Sequence, residues 1–176
     1  MPRMLPRPRE GDHAPFFQAY VDRVPDGCVY ETLEHQGRKV AALLRGIDEA
    51  QGAFRYAPGK WTVKQLVQHV IDGERLFGYR AMCIARGETA SLPGFDEDHY
   101  ASNDGSAQRS VASLAAEHAA VRAATLTLFR GFDAAAWARR GIANHKPLAV
   151  ISLPWITAGH ELHHLSVLRE RYGVSA

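Results

Sequence analysis

Residues 61–75 of the chain read WTVKQLVQHVIDGER, and this stretch predicts the start of a long amphipathic helix. Thr62 and Gln65 have the spacing of a capping box, in which two residues satisfy each other's backbone N–H groups, so a helix is predicted to begin at Thr62. His69 lies on the inward side of this helix, and Gly87 is a natural C-terminal stop. The apolar stripe of the helix consists of Leu66, Val70, Gly73, Phe77, Ala81 and Ile84.

Three further segments show apolar residues with a helical period, at residues 30–49, 111–132 and 152–172. Pro154 falls in the first turn of the last segment, where its missing N–H costs little. No alternating apolar pattern is long enough to predict a strand, and residues 141–147 are interpreted as a break between helices. Four amphipathic helices pack most economically as an all-α four-helix bundle.

The length of 176 residues favours one domain with a single core. We expect the bundle domain to span residues 27–176, after a flexible or partly ordered N-terminal segment at residues 1–26. Residues 88–110 are rich in turn formers, and we expect them to form a long ordered loop between the second and third helices.

Composition and charge argue against several classes of protein. The 21 basic and 19 acidic residues are spread along the chain without the basic stripe of a nucleic-acid surface, so no nucleic-acid partner is expected. No apolar run approaches the roughly 20 residues that a membrane span needs, and the N-terminus lacks the apolar region of a secretory signal. We therefore expect a cytoplasmic protein with no membrane partner, whose two cysteines, Cys28 and Cys83, are free thiols.

The sequence GHELHH at residues 159–164 places His160 and His164 four residues apart, so both imidazoles face the same side of the last helix. Two imidazoles hold an ion weakly, and His69 is the best candidate for a third ligand, because metal sites in bundles are built from facing helices. The spacing differs from the zinc-protease motif H-E-x-x-H, since the second histidine comes one residue late. The pattern favours a divalent transition metal such as zinc, nickel or iron.

Each histidine also has a purely structural interpretation. A single histidine on an apolar stripe is commonly a hydrogen-bonded core residue, and helical pairs also occur on wet surfaces. His163 is turned about 60° from His160, so it is expected beside the ligands or at the rim of the site. His118, on the third helix, is either a fourth ligand or a core histidine next to the site, and we favour the core role.

Four stretches around these histidines form a recognisable pattern. They are WTVKQLVQHVIDGER at residues 61–75, YRAMCIARG at 79–87, LPGFDED at 92–98 and ITAGHELHH at 156–164. These stretches resemble the DinB/YfiT-like family of metalloenzymes, and the resemblance extends from about residue 30 to about residue 172.

The resemblance implies a four-helix bundle in which His69, His160 and His164 bind the metal, since these positions match the ligands of the family. Relatives in the superfamily include transferases and isomerases that use low-molecular-weight thiols. Pro154, His118 and His145 depart from the family pattern. The resemblance also suggests a homodimer, which apolar or aromatic residues outside the four helical stripes support, namely Phe16, Phe17 and Tyr20.

Three histidine ligands leave open positions on an ion, so hydrolysis and thiol transfer both follow naturally. We expect a metal-dependent hydrolase or thiol-dependent transferase with a small-molecule substrate, for which a low-molecular-weight thiol is one candidate. Glu74, Asp96 and Asp98 are the candidate catalytic residues, and Glu97 is a further acidic group within reach. The segment 92–100 is expected to cover the metal. The alternatives are a non-catalytic metal-dependent binding or stress-response protein and a purely structural bundle.

Overall fold

Four long helices form the bundle in the computed structural model, which describes residues 4–174. Each long helix packs mainly on two neighbours, in the order α2, α6, α4, α8 around the bundle. The consecutive helices α2 and α4 are therefore diagonal to each other. Their bounds are α2 Val29–Arg45, α4 Val63–Ala85, α6 Val111–Arg130 and α8 Leu153–Tyr172.

Shorter elements lie at the ends of the bundle and between the long helices. The short helices are α1 Gln18–Val21, α3 Glu49–Gly52, α5 Glu97–Ser102 and α7 Ala134–Ala138. Single 3-10 turns occupy Pro15–Phe17, Ser106–Gln108 and Val150–Ser152, and two strands are β1 Arg140–Ala143 and β2 Lys146–Ala149. The predicted loop at residues 88–110 therefore contains α5 and one 3-10 turn.

The helix termini follow the local sequence signals. Thr62 and Gln65 form the predicted capping box at the start of α4. Gly87 adopts a φ of +90° just after the end of α4, a conformation in which a side chain would be strained. Pro154 lies in the first turn of α8, as predicted. The first long helix ends at Arg45, four residues earlier than expected, and α3 begins separately at Glu49 with Asp48 as its cap.

A β-hairpin replaces the simple break that we expected at residues 141–147. Strands β1 and β2 pair antiparallel, and Asn144 and His145 between them have φ values of 49° and 58°. Positive φ at both central residues is typical of the two-residue turns that join hairpin strands. Each strand has only four residues, too few for an alternating pattern to stand out in the sequence. The hairpin also binds Leu92, whose N–H donates to the carbonyl of Ile142 at 2.9 Å.

The N-terminal segment packs against α8. A Cβ added at Gly159 would overlap the carbonyl oxygen of Tyr20, so only a glycine lets the two backbones approach this closely. Arg7 donates to the carbonyl oxygens of Val21 and Val24, both at 2.7 Å, and its guanidinium lies 4.6 Å from the centre of the Trp155 ring. Of the segment 1–26, residues 1–3 lie outside the described part, as do residues 175–176 of the predicted bundle domain.

The core consists of two apolar clusters, one toward each end of the bundle. On every long helix, buried polar residues fall between the positions that belong to the two clusters. This polar layer consists of Gln36, Glu74, His118, Arg122 and Glu161. No helix within residues 4–174 is both long and apolar enough to cross a membrane.

Candidate metal centre

Helices α4 and α8 bring His69, His160 and His164 together. The Nε2 atoms of His69 and His160 are 3.1 Å apart, and one nitrogen from each of the three rings lies within 4.8 Å of the other two. Zinc–nitrogen bonds of about 2.0–2.1 Å place two ligands of one tetrahedral ion about 3.3 Å apart. The histidine group therefore has a donor set and spacing suited to a divalent transition metal. Within residues 4–174, no fourth His, Cys, Asp or Glu joins this group.

Gly73 makes room for His160. A Cβ at this position on α4 would lie 2.8 Å from Cε1 and 3.3 Å from Nδ1 of the His160 ring. Contacts this close require the ring to move, and a buried imidazole has little space in which to do so. The glycine one turn after His69 is therefore part of the cradle for the second histidine.

The three imidazoles are neutral near pH 7. Burial lowers the pKa of His69 to about 4 and the pKa of His160 to about 3, and burial also lowers the pKa of His164. Repulsion from neighbouring histidines adds to the shift in each case. Neutral imidazole is the form that binds metals. His164 also has a buried Nδ1 without a hydrogen-bond partner.

Aromatic rings pack around the histidines. The ring of Trp61 lies 4.8 Å from that of His69, and the rings of Tyr20 and Phe77 lie 5.4 Å and 5.5 Å from that of His160. His163, predicted to lie beside the ligands or at the rim, is half-buried, with its ring 5.6 Å from that of Tyr20. These contacts hold the imidazoles of the histidine group from several sides and limit the access of water.

A cavity of about 510 Å³ opens beside His69 and His160. This volume is in the range of sites for small molecules. Its walls come from the N-terminal segment, α4, residues 94–97, the hairpin and α8. The apolar part of the lining is mostly aromatic, with Phe16, Phe17, Tyr20, Phe77 and Phe95, and the charged side chains are Arg80, Glu97 and Lys146.

The acidic residues proposed from sequence occupy different places. Glu74 is buried and forms an ion pair with Arg122. Asp96 caps α5 by accepting from the N–H of His99 at 3.0 Å, and Asp98 accepts from Trp61 Nε1 at 3.0 Å. None of these three carboxylates lines the cavity, whereas Glu97 does. Burial raises the pKa of Glu97, and the negative charges of Asp98 and Asp96 raise it further.

His118 belongs to the polar layer and not to the histidine group. Its Nε2 is 2.6 Å from Oε2 of Glu161, which also accepts from Arg122 at 2.8 Å. Arg122 further donates to both carboxylate oxygens of Glu74, at 2.8–3.2 Å, and to the carbonyl of Leu33 at 2.7 Å. Glu74, His118 and Glu161 also have spacing compatible with a metal ion, but Arg122 already bonds to both glutamates.

A sequence model of the DinB superfamily matches residues 32–168, which include all three histidines. The chain belongs to the DinB superfamily. This membership and the four-helix arrangement confirm the predicted family and fold class. None of the curated proteins compared with this superfamily member matches it in sequence.

Two solved structures share the fold of this DinB-superfamily chain. One is YfiT from Bacillus subtilis, described as a probable metal-dependent hydrolase with an unusual four-helix bundle topology. It is 19% identical with a TM-score of 0.73, and the match covers 96% of this chain and 94% of that one. The other is the mycothiol-dependent maleylpyruvate isomerase, 14% identical with a TM-score of 0.68 over 89% of this chain and 64% of that one.

Sequence reasoning missed several residues of the site in this DinB-superfamily member. Gly73 stood in the apolar stripe of its helix without a recognised role, and Tyr20 lies in the segment expected to be flexible or partly ordered. Arg80 carried no sequence signal, because only the fold shows that it is buried at the cavity. Glu97 was named only as a further acidic group beside the candidates Asp96 and Asp98, because spacing alone does not tell which of the three carboxylates faces the cavity.

Proposed function

We propose that this protein is a metal-dependent enzyme, a hydrolase or thiol-dependent transferase, that acts on a small molecule. In this proposal His69, His160 and His164 are ligands of one zinc, nickel or iron ion. The observation that carries it is that His69 and His160 line the 510 Å³ cavity. Structural sites are closed around their ion, whereas these ligands border space that a substrate can fill.

A divalent ion held by three imidazoles supplies Lewis acidity, which lowers the pKa of a coordinated water or thiol and polarises a carbonyl. Glu97 is the group best placed to accept the released proton, because it lines the same cavity. Its raised pKa brings the carboxylate closer to the working range of a general base near neutral pH. Tyr20 and Phe77 exclude water beside His160.

The similar structures support metal-dependent hydrolysis in one case and chemistry that depends on a small thiol in the other. One of them is described as a probable metal-dependent hydrolase, and the other is a mycothiol-dependent isomerase. Both classes need an activated nucleophile at an ion with an open position. The cavity beside His69 and His160 has room for either nucleophile next to the proposed ion.

Metal content tests the ligand assignment. Elemental analysis of the purified protein should find close to one transition metal per chain, and the double variant His69→Ala, His164→Ala should lose it. His35→Ala, which removes an exposed histidine from α2, is the matched control and should keep the metal. Full occupancy in the double variant would overturn the assignment.

Turnover tests the enzyme class. Activated esters and electrophiles offered with a small thiol should react in the presence of the wild-type protein. His160→Ala should abolish the reaction with unchanged helicity, and Glu97→Gln should slow it while the metal is retained. Full metal occupancy with no turnover of either substrate type would favour the alternative, a non-catalytic metal-dependent binding protein.

The remaining expectations concern location and assembly. A cytoplasmic protein without nucleic-acid partners stays a prediction from sequence. The homodimer now rests mainly on Phe16, which is 70% exposed, since Phe17 packs on the core and Tyr20 packs on His160. Light scattering that gave only a 19 kDa species would contradict the dimer.

A further inference from the structure

Arg80 is a buried cation without an acidic partner at the wall of the cavity. Arg80 is only 5% exposed, and no carboxylate within residues 4–174 forms an ion pair with it. Nη2 donates to the carbonyl of Pro93 at 2.8 Å, and Nε is buried without any partner. A guanidinium stays charged in proteins, so this charge is desolvated and poorly compensated.

Arg122 on α6 is a second buried arginine, and its charge is compensated by acidic partners. Arg122 is as buried as Arg80, but two glutamates and a carbonyl accept its hydrogen bonds. Burial lowers the pKa of Arg80, whereas the pKa of Arg122 is raised because the two glutamates outweigh the effect of its burial. Leaving a buried charge unpaired is strongly destabilising in general. An anion supplied from outside the chain would remove that cost at Arg80.

The position of Arg80 fits one end of an elongated ligand. His69, Gly73, Phe77 and Arg80 follow one another along α4, and all four line the cavity. The eleven residues from His69 to Arg80 correspond to about 16 Å along the helix axis, at 1.5 Å per residue. Lys146 on the hairpin adds a second positive charge to the lining, against the single acidic group of Glu97. Aromatic rings border most of the space between the histidines and Arg80.

We propose that Arg80, assisted by Lys146, binds the carboxylate of a ligand whose apolar body fills the aromatic part of the cavity and whose other end faces the histidines. A planar guanidinium matches a carboxylate in geometry as well as in charge. This inference deepens the proposed function and rests on it for the identity of the binding cavity. The carboxylate belongs either to the molecule that is attacked or to a thiol co-reactant.

Calorimetric titration of the chelator-treated, metal-free protein tests the subsite. One arm compares 4-phenylbutanoate with 4-phenylbutanamide, and the other compares N-acetylcysteine with N-acetylcysteine amide. Each pair differs only in the charge at one end. In at least one arm the acid should bind roughly 10-fold to 100-fold more tightly than the amide, as expected for a charge-assisted hydrogen bond. The arm that shows the preference identifies which molecule carries the carboxylate.

Variants assign the preference to Arg80. Arg80→Gln should abolish the discrimination between acid and amide, Arg80→Lys should keep part of it, and Lys146→Gln should reduce it. The matched control is Arg86→Gln, which removes an exposed arginine just beyond α4 and should leave the preference unchanged. Since Arg80 also holds the carbonyl of Pro93, circular dichroism should verify that each variant is folded.

Equal binding of acid and amide by the wild-type protein in both arms would overturn the proposal without any variant. A preference that survives in folded Arg80→Gln would also overturn it. Because no metal is present, failure of the metal or turnover tests does not alter this result. Carboxylate binding without turnover would contradict the proposed enzyme activity and still support the carboxylate subsite.

Discussion

Two groups of three potential ligands lie side by side on α4 and α8, and His118 of α6 completes the second group. His160 belongs to the histidine group, and the next residue, Glu161, belongs to the polar layer. In the polar layer, the guanidinium of Arg122 forms ion pairs with both Glu74 and Glu161, and His118 lies 2.6 Å from Glu161. In the histidine group, no carboxylate within residues 4–174 accepts a hydrogen bond from an imidazole, and the three rings are neutral near pH 7.

The two groups differ in charge, and this difference separates a structural group from a candidate binding site. Both groups have the residue types and the spacing of a metal site, so composition and distance do not distinguish them. Charge compensation does. Buried charges that are paired within the chain fix the packing of helices, whereas neutral imidazoles beside a cavity are suited to an external partner.

Arg122→Met should cause the largest loss of stability. It removes the cation shared by Glu74 and Glu161 and leaves two buried carboxylates uncompensated, which should lower the free energy of unfolding by about 3–5 kcal/mol. Urea denaturation of the metal-free protein measures the change. In the same assay His164→Ala should lower the free energy of unfolding by less, about 1–2 kcal/mol, because the buried Nδ1 of its imidazole has no hydrogen-bond partner to lose. Similar losses of unfolding free energy in the two variants would contradict this difference between the groups.

Gly159→Ala should cause the next largest loss of stability. The added Cβ would overlap the carbonyl of Tyr20, so the N-terminal segment has to shift away from α8, at a cost of about 1–3 kcal/mol. Thermal unfolding and limited trypsin cleavage within residues 7–23 would both report the change. Gly46→Ala is the control, since its Cβ would meet only a carbonyl at 3.4 Å. Unchanged protease resistance in Gly159→Ala would show that the segment is not held by this contact.

Gly73→Ala should act on metal affinity more than on the fold. Its Cβ would lie 2.8 Å from the ring of His160 and displace this proposed ligand, which should weaken metal binding by about 10-fold or more. A competition titration with a metal-sensitive dye gives the dissociation constant. Gly78→Ala on the same helix is the control, because its nearest contact would be Thr125 at 4.0 Å. Equal affinities in the two variants would argue against His160 as a ligand.

Asp98→Ala should have the smallest effect. Asp98 accepts an exposed hydrogen bond from Trp61, whose ring packs on His69, so its removal should loosen the ring at a cost of about 0.5–1.5 kcal/mol. Metal affinity should fall by a few-fold at most, measured with the same dye. A complete loss of turnover with the metal retained would instead support the catalytic role predicted for Asp98 from sequence.

Local signals in the sequence carried most of the fold. The capping box at Thr62 and the apolar stripes gave four helices, because helix start and amphipathic face depend on residues within a few turns. The histidine group was also accessible, since two of its members are one turn apart on α8. Local patterns did not reveal that Arg122 pairs with Glu74, because the partners are 48 residues apart in the chain.

The cavity wall is harder to predict for the same reason. Tyr20 reaches His160 only because Gly159 allows the N-terminal segment to cross α8, a contact between distant parts of the chain. The hairpin escaped prediction because its strands are short. Sequence therefore located the proposed ligands better than the surfaces that a substrate would touch.

The close crossing at Gly159 also brings a segment from outside the shared superfamily stretch to the cavity. All three histidines lie inside the stretch shared with the superfamily, residues 32–168, whereas the aromatic wall at residues 14–20 precedes it. Exchanging residues 14–20 would change the shape of the cavity and the ring that packs on His160, but it would replace none of the three histidines. The aromatic wall and the histidine group can therefore be altered separately by substitution.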